Sequence, residues 1–345
     1  MSGQAQIPPV ARKRVNLALQ GGGAHGAFTW GVLDALLEDG RLEIEGLSGT
    51  SAGAMNAAII ACGIAEGGPE AARRKLARFW KAVAIDGDLR GPQRALFDAL
   101  LGAWKLGSTG AADWLPQFGA LSPYALNPLD INPLRDVVER HVDFERLRAY
   151  EALKLFIAAT NVHTGKVRVF HRQELTADML MASAALPSLF KAVEVEGVPY
   201  WDGGYMGNPV LFPFFTETGT ADIILVQINP IMREETPNTS SEILERVNEI
   251  TFNASLLHEL RAIDFVRRLI DAGRLAGTHY KRIRMHRISA QDELRQFGSA
   301  SKLSADWALF QQLHRIGRKA GQDFLRAHFD MIGVEGTLDL RAELA

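Results

Sequence analysis

The chain has 345 residues, 47% hydrophobic and 23% charged, which is enough apolar material for a large core and excludes a disordered chain. Its net charge of −2 argues against a dedicated nucleic-acid binder, and its single cysteine, Cys62, excludes a disulfide framework or a multi-cysteine zinc site. No apolar run reaches the roughly 20 residues that span a bilayer. Residues 1–14 hold Arg12, Lys13 and Arg14 but no apolar segment of signal-peptide type, so a cytosolic protein is expected, with contact at a membrane surface left open.

Val15–Gln20 (VNLALQ) predicts a buried strand that runs straight into Gly21-Gly22-Gly23. A helix follows from about His25 to Asp39, with Phe28, Val32, Ala35 and Leu36 at helical spacing, and Gly40 stops it. Ile44–Ser48 predicts the next strand. Gly49-Thr50-Ser51-Ala52-Gly53 then turns into a second helix (AMNAAIIAC) whose small residues allow close packing on a sheet. Strand, glycine turn and helix, twice in succession, is the rhythm of an α/β domain with parallel strands.

Between Asp86 and Pro133 the pattern changes. Pro92, Pro116, Pro123, Pro128 and Pro133 alternate with short helical pieces that carry Trp104, Trp114, Phe118 and Leu121. This stretch reads as an insertion and a candidate lid. Leu153–Ala159, Val167–Phe170 and Ile223–Ile228 predict further strands. Residues 231–240 are polar and read as a connector. Ser241–Asp271 lacks Gly and Pro and places Ile243, Val247, Ile250, Ala254 and Leu257 on one face of a long helix. Lys281–Ile288 alternates as a late strand, and Leu303–Phe329 is mostly helical. The expected organisation is an arm over 1–14, a catalytic unit over 15–230 with the insertion at 86–133, and a mostly helical region over 241–345.

Three constellations carry chemistry. Gly49-Thr50-Ser51-Ala52-Gly53 matches G-x-S-x-G between a strand and a helix, where small neighbours permit the sharp bend of a nucleophile elbow. Gly21-Gly22-Gly23-Ala24-His25-Gly26 matches G-x-G-x-x-G and in isolation suggests a dinucleotide loop. That reading requires an acidic residue at the end of the second strand, whereas Glu43 and Glu45 lie at its start. Successive glycine amides serve equally well as an oxyanion hole, and two such turns on neighbouring strands open at one sheet edge. Ser51 also needs a base. His258, His279, His286, His314 and His328 all fall in helical or basic-strand regions and read as surface or packing residues. Asp202, followed by Gly203-Gly204, sits in a tight loop that can present a carboxylate.

With these three motifs in this order, the chain resembles the patatin-like phospholipase family. Met181-Ala182-Ser183-Ala184-Ala185-Leu186-Pro187 and Asn208-Pro209 add to the likeness, which spans roughly residues 15–230. The resemblance implies a three-layer α/β/α fold with a mainly parallel sheet, here extended by a largely helical C-terminal part. It implies a Ser-Asp dyad, with Ser51 as nucleophile and Asp202 as base, and an oxyanion hole from the amides of Gly22, Gly23 and Ala24. Gly21, His25, Gly26, Gly49, Gly53, Gly203 and Gly204 support these turns.

The implied activity is hydrolysis of lipid acyl esters, as a phospholipase, lysophospholipase or lipid esterase, without metal or cofactor. The alternative is a catalytically silent lipid-binding or scaffolding protein of the same fold. Many members carry Arg or Lys where this chain has His25, so a constant positive charge beside the loop is in question. A second question concerns residues 272–291, which hold Arg274, Lys281, Arg282, Arg284 and Arg287 without an acidic residue. They form either a membrane-facing patch or a set of partners for carboxylates elsewhere. Head group, acyl length and oligomeric state leave no mark in the sequence.

Overall fold

Alternation along the strands sorts the core into two layers. Leu17, Leu19, Ile224 and Val226 join one apolar cluster, whereas Ala18, Ile223 and Leu225, one residue out of phase, join another. The strands belong to a computed structural model that describes residues 12–84, 122–127, 130, 132–297, 301–302 and 304–344. Trp104, Trp114, Phe118 and Leu121 of the candidate lid lie outside the described residues.

The strands are β1 (Lys13–Leu19), β2 (Leu42–Gly49), β3 (Lys154–Asn161), β4 (Val167–His171), β5 (Val193–Val195), β6 (Val198–Asp202), β7 (Asp222–Val226) and β8 (Arg284–Ile288). They form one sheet in the order β5-β6-β3-β2-β1-β7-β8, with β4 paired to β3 off this path. Strands β3, β2, β1, β7 and β8 are parallel, while β4 and β6 run antiparallel to β3. One face is covered by α1 (Gly26–Asp39), α2 (Ala52–Val83), α3 (Ala177–Ser183) and α5 (Trp307–His328). The other is covered by α4 (Ser240–Asp271) through Leu256, Leu260 and Ile263. The result is the three-layer α/β/α arrangement with C-terminal helices.

Local chemistry explains the boundaries. Gly40 ends α1 in the left-handed region at φ 71°, its amide returning to the Leu36 carbonyl. Helix α2 is interrupted at Gly67-Gly68 before Pro69 and then resumes to Val83. The hairpin of β5 and β6 escapes the sequence reading because its strands are short and Pro199 falls inside the second. Its two-residue turn, Glu196-Gly197, has positive φ at both positions (52° and 77°), the usual geometry of a tight hairpin.

The late region is built into the sheet and its helical cover. Strand β8 lies parallel to β7, and α5 crosses α1 with the two backbones in contact. A Cβ placed on Gly317 would lie 2.0 Å from the Phe28 carbonyl oxygen, and one on Gly31 2.1 Å from that of His314. Beside this crossing Asp34 of α1 receives Arg73, Arg318 and His314. Burial alone would raise the Asp34 carboxyl, but these donors hold it well below the ordinary carboxylate range. Gly317→Leu is therefore expected to force the helices apart and destabilise the protein by about 3 kcal/mol or more. A melting temperature equal to that of the wild type would contradict so close a crossing.

Candidate active site

The sheet register brings two strand ends together. Phe156 and Ile157 of β3 face Ser48 and Gly49 of β2 on one edge and His171 and Phe170 of β4 on the other. Further along, Ala159 and Thr160 face β4 on that second edge and Asp202 and Trp201 of β6 on the first. Strand β6 therefore continues the same edge of β3 that β2 occupies, running in the opposite direction. The two strands end facing each other, at Gly49 opposite Ile157 and Asp202 opposite Ala159. Two residues of strand correspond to about 7 Å, the span into which both turns project their side chains.

Ser51 occupies the bend at φ 54° and ψ −124°, where a non-glycine residue is strained by about 1–3 kcal/mol. Surrounding contacts hold it there. Its amide donates to the Ser183 hydroxyl oxygen at 3.0 Å, and the Thr50 hydroxyl donates to the Gly207 carbonyl at 2.6 Å. Close approach requires glycine beside it: a Cβ on Gly21 would lie 2.7 Å from the Thr50 oxygen and 2.8 Å from the Ser51 Cβ. The glycine loop and the elbow thus touch.

Asp202 is 2% exposed, accepts the Gly204 amide at 2.7 Å and has the Ser51 side chain beside it. Burial pushes its carboxyl up to about 7, although the Gly204 amide and the neighbouring Ser51 side chain both favour the ionised form. The Thr160 hydroxyl anchors the Asp202 carbonyl at 2.8 Å. Phe252 of α4 lies against Gly204, close enough to exclude a side chain at that position.

The glycine loop is fastened from behind by buried amides. Asn208 accepts the Gly21 amide at 2.7 Å, and Asn229 donates to the Gly21 carbonyl at 2.8 Å. Gln20 joins these groups to Asn253 of α4 at 2.9 Å and accepts the amides of Ile228 and Asn229. The amides of Gly22, Gly23 and Ala24 donate to no group among the described residues, so three successive donors stay available. Gly23 adopts φ +57° where the Lys302 carbonyl packs against it.

His25 is buried, its Nε2 2.6 Å from the Ser301 hydroxyl. Burial first, and then the Lys302 charge, push its pKa down to about 3, leaving a neutral imidazole. A positive charge near the loop comes instead from Lys302, whose Nζ donates to Asn229 at 2.8 Å.

The other candidates are placed elsewhere. His286 is fully buried against Asp222, which begins β7 at the sheet edge opposite the glycine turns. His314 serves Asp34, and His258 and His279 are exposed. In the basic stretch Arg282 pairs with Asp271 at 2.7 Å, Arg284 with Asp222 at 2.6 Å and Arg287 with Glu343 at 2.5 Å. Lys281 donates to the Phe214 and Thr218 carbonyls. These four charges are thus spent inside the molecule. Among the described residues no group of His, Cys, Asp and Glu is gathered to hold a metal ion.

Several contributors were not legible as site residues. Ser183 and Asn208 lie in stretches that carry the family likeness, but their roles appear only through contacts far apart in sequence. Gln20, Asn229, Asn253 and Phe252 had no distinguishing local signal.

A family model described as patatin-like phospholipase matches residues 17–215. No curated protein sequence matches the chain. Among solved structures it is similar to VipD from Legionella pneumophila, at 16% identity over 88% of this chain and 67% of that one, with a TM-score of 0.38. It is also similar to full-length ExoU, solved in complex with SpcU of the Pseudomonas aeruginosa type III secretion system. There the identity is 18% over 92% of this chain and 54% of that one, with a TM-score of 0.36. The chain therefore spans about half the length of that ExoU chain.

Proposed function

Because the chain belongs to the patatin-like phospholipase family, we propose that it is a serine acyl-ester hydrolase acting on lipids, with Ser51 as nucleophile and Asp202 as base. The observation that supports this most strongly is the placing of the Ser51 side chain, at a strained elbow, beside a fully buried carboxyl raised to about 7. A base near the working pH combines a useful ionised fraction with real proton affinity. An aspartate at its ordinary value of about 3.9 would be a much weaker acceptor.

In the acylation step the Ser51 oxygen attacks the ester carbonyl carbon as its proton passes to Asp202. The carbonyl oxygen, now negative, faces the free amides of Gly22, Gly23 and Ala24. One such donor is worth about 3–4 kcal/mol of barrier. Collapse of the tetrahedral intermediate expels the alcohol, which takes the proton back from Asp202. Water then attacks the acyl-serine, gives a proton to the same carboxylate and releases the fatty acid, restoring Ser51. The neutral His25 takes no part in these proton transfers.

The direct test is incubation with a fluorophosphonate followed by mass mapping. A single adduct on Ser51 is expected; no adduct would favour a lipid-binding protein without turnover. Gly21→Ala probes the contact between loop and elbow. Its methyl group would displace Thr50 and Ser51, and a shift near 1 Å costs about 100-fold in rate. The expected result is that loss in kcat on a soluble ester, measured where the variant is still folded, with a melting temperature lowered by the same crowding. Unchanged kcat would contradict the packing of Gly21 on Ser51.

A further inference from the structure

Arg282, Arg284, Arg287 and Lys281 are neutralised or bonded within the molecule, but a second basic surface is not. A cleft of about 480 Å³ opens between α2 and α5, over the start of α1. Its lining includes Trp30, Trp307, Arg78, Lys81, His314 and Arg315, and no carboxylate among the described residues. Arg78 and Lys81 are exposed one turn apart on α2, and Arg315 is exposed on α5. None of these three makes an ion pair or hydrogen bond with the described residues, in contrast to Arg73 and Arg318 nearby, each of which holds two or more carboxylates. The acidic residues on the same helices are engaged elsewhere: Asp34 by Arg73 and Arg318, Asp306 by the amides of Ala308 and Leu309.

The floor is aromatic. Trp30 stacks on Trp307 at 6.0 Å and on Trp80 at 6.5 Å between ring centroids. Trp80 in turn lies against Gly26, the last glycine of the loop, and its indole donates to Asn56 at 2.9 Å. Trp30 stands one helical turn beyond Gly26, about 6 Å along α1. The cleft thus belongs to the end of the molecule where the catalytic turns open.

We propose that this cleft binds a phosphate-bearing anion, and that an anionic lipid head group is the source suited to its position. Three like charges without a counter-charge among the described residues repel one another, and a bound phosphate relieves that repulsion. Two of the three are guanidinium groups, whose planar forks match phosphate oxygens. Trp307, the half-buried tryptophan of that floor, suits the boundary between head groups and water. None of these residues takes part in ester cleavage, so the site stands apart from the hydrolase reading. Binding there would settle the catalytic end on an anionic surface.

The test compares wild type with Arg78→Gln/Lys81→Gln/Arg315→Gln in co-sedimentation with phosphatidylcholine vesicles, with and without phosphatidylglycerol. The wild type is expected to prefer the anionic vesicles and to lose that preference at high salt. Removing three cations should weaken anionic binding on the order of 100-fold and leave neutral vesicles unaffected. All three side chains are exposed, so melting temperature and hydrolysis of a soluble ester should stay at the wild-type level. An Arg78→Lys/Arg315→Lys variant, which keeps the charge but loses the planar forks, should still prefer anionic vesicles and bind them between the wild type and the triple variant.

A titration with inorganic phosphate followed by tryptophan fluorescence separates the sources. A saturable change in wild type, absent from the triple variant and unaccompanied by vesicle preference, assigns the site to soluble phosphate. Equal anionic binding by wild type and triple variant, with no phosphate response that the triple variant loses, would overturn the proposal.

Discussion

Ser51→Ala is expected to lower kcat for ester hydrolysis by at least about 10⁴-fold, because alanine fits the bend yet offers no oxygen to attack the carbonyl. Stability should change little. Alanine keeps the same Cβ at φ 54°, so the backbone strain of the elbow remains, and the Ser51 amide still donates to Ser183. Its melting curve should overlay the wild type. Residual activity above a few per cent, measured on a p-nitrophenyl ester, would move the nucleophile to another residue.

Asp202→Asn is expected to be nearly as damaging to turnover, since an amide cannot accept the serine proton. Its effect on stability should have the opposite sign. The folded protein holds the Asp202 proton up to about pH 7, whereas an unfolded aspartate releases it near 3.9. Ionising this buried carboxyl above pH 7 therefore works against folding, and the penalty disappears as pH falls below the unfolded value. Asparagine carries no such penalty, so the variant should be more stable than wild type at pH 8, on the order of a few kcal/mol, and gain nothing at pH 4. A variant that is less stable at pH 8 would indicate that Asp202 is ionised there without strain. Loss of activity joined to a gain in stability is the pattern expected of a group retained for chemistry.

How far this site could be read from residues alone differs from part to part. The loop at Gly21–Gly26 and the elbow at Gly49–Gly53 were legible because each joins a strand to the helix that follows it, a local pattern with fixed spacing. Asp202-Gly203-Gly204 was legible as a turn, but its meeting with Ser51 depends on β6 taking up the edge of β3 where β2 ends. That register joins short segments about 150 residues apart and leaves no periodicity to detect.

The long helix and the late strand were visible in outline. What they contribute was not: Asn253 and Phe252 behind the loops, and Lys302 against Gly23, act across more than 40 residues of intervening chain. The basic stretch shows the opposite difficulty. Its composition was plain, but Asp222, Asp271 and Glu343, which pair with three of its arginines, are brought in by the fold. Arg78, Lys81 and Arg315, scattered over two helices, formed no stretch at all.

The central claim is that a buried aspartate with a pKa near 7 activates Ser51. The measurement that tests it most directly is the rate of Ser51 phosphonylation by a fluorophosphonate in the wild type across pH 5 to 9. His25, held neutral down to about pH 3, does not titrate in this range. Only ionised Asp202 can take the serine proton, so the rate should rise about tenfold per pH unit at the acid end, reach half its maximum near pH 7 and level off above it. A rate already constant from pH 5 upward would mean an aspartate of ordinary acidity, and would contradict the account.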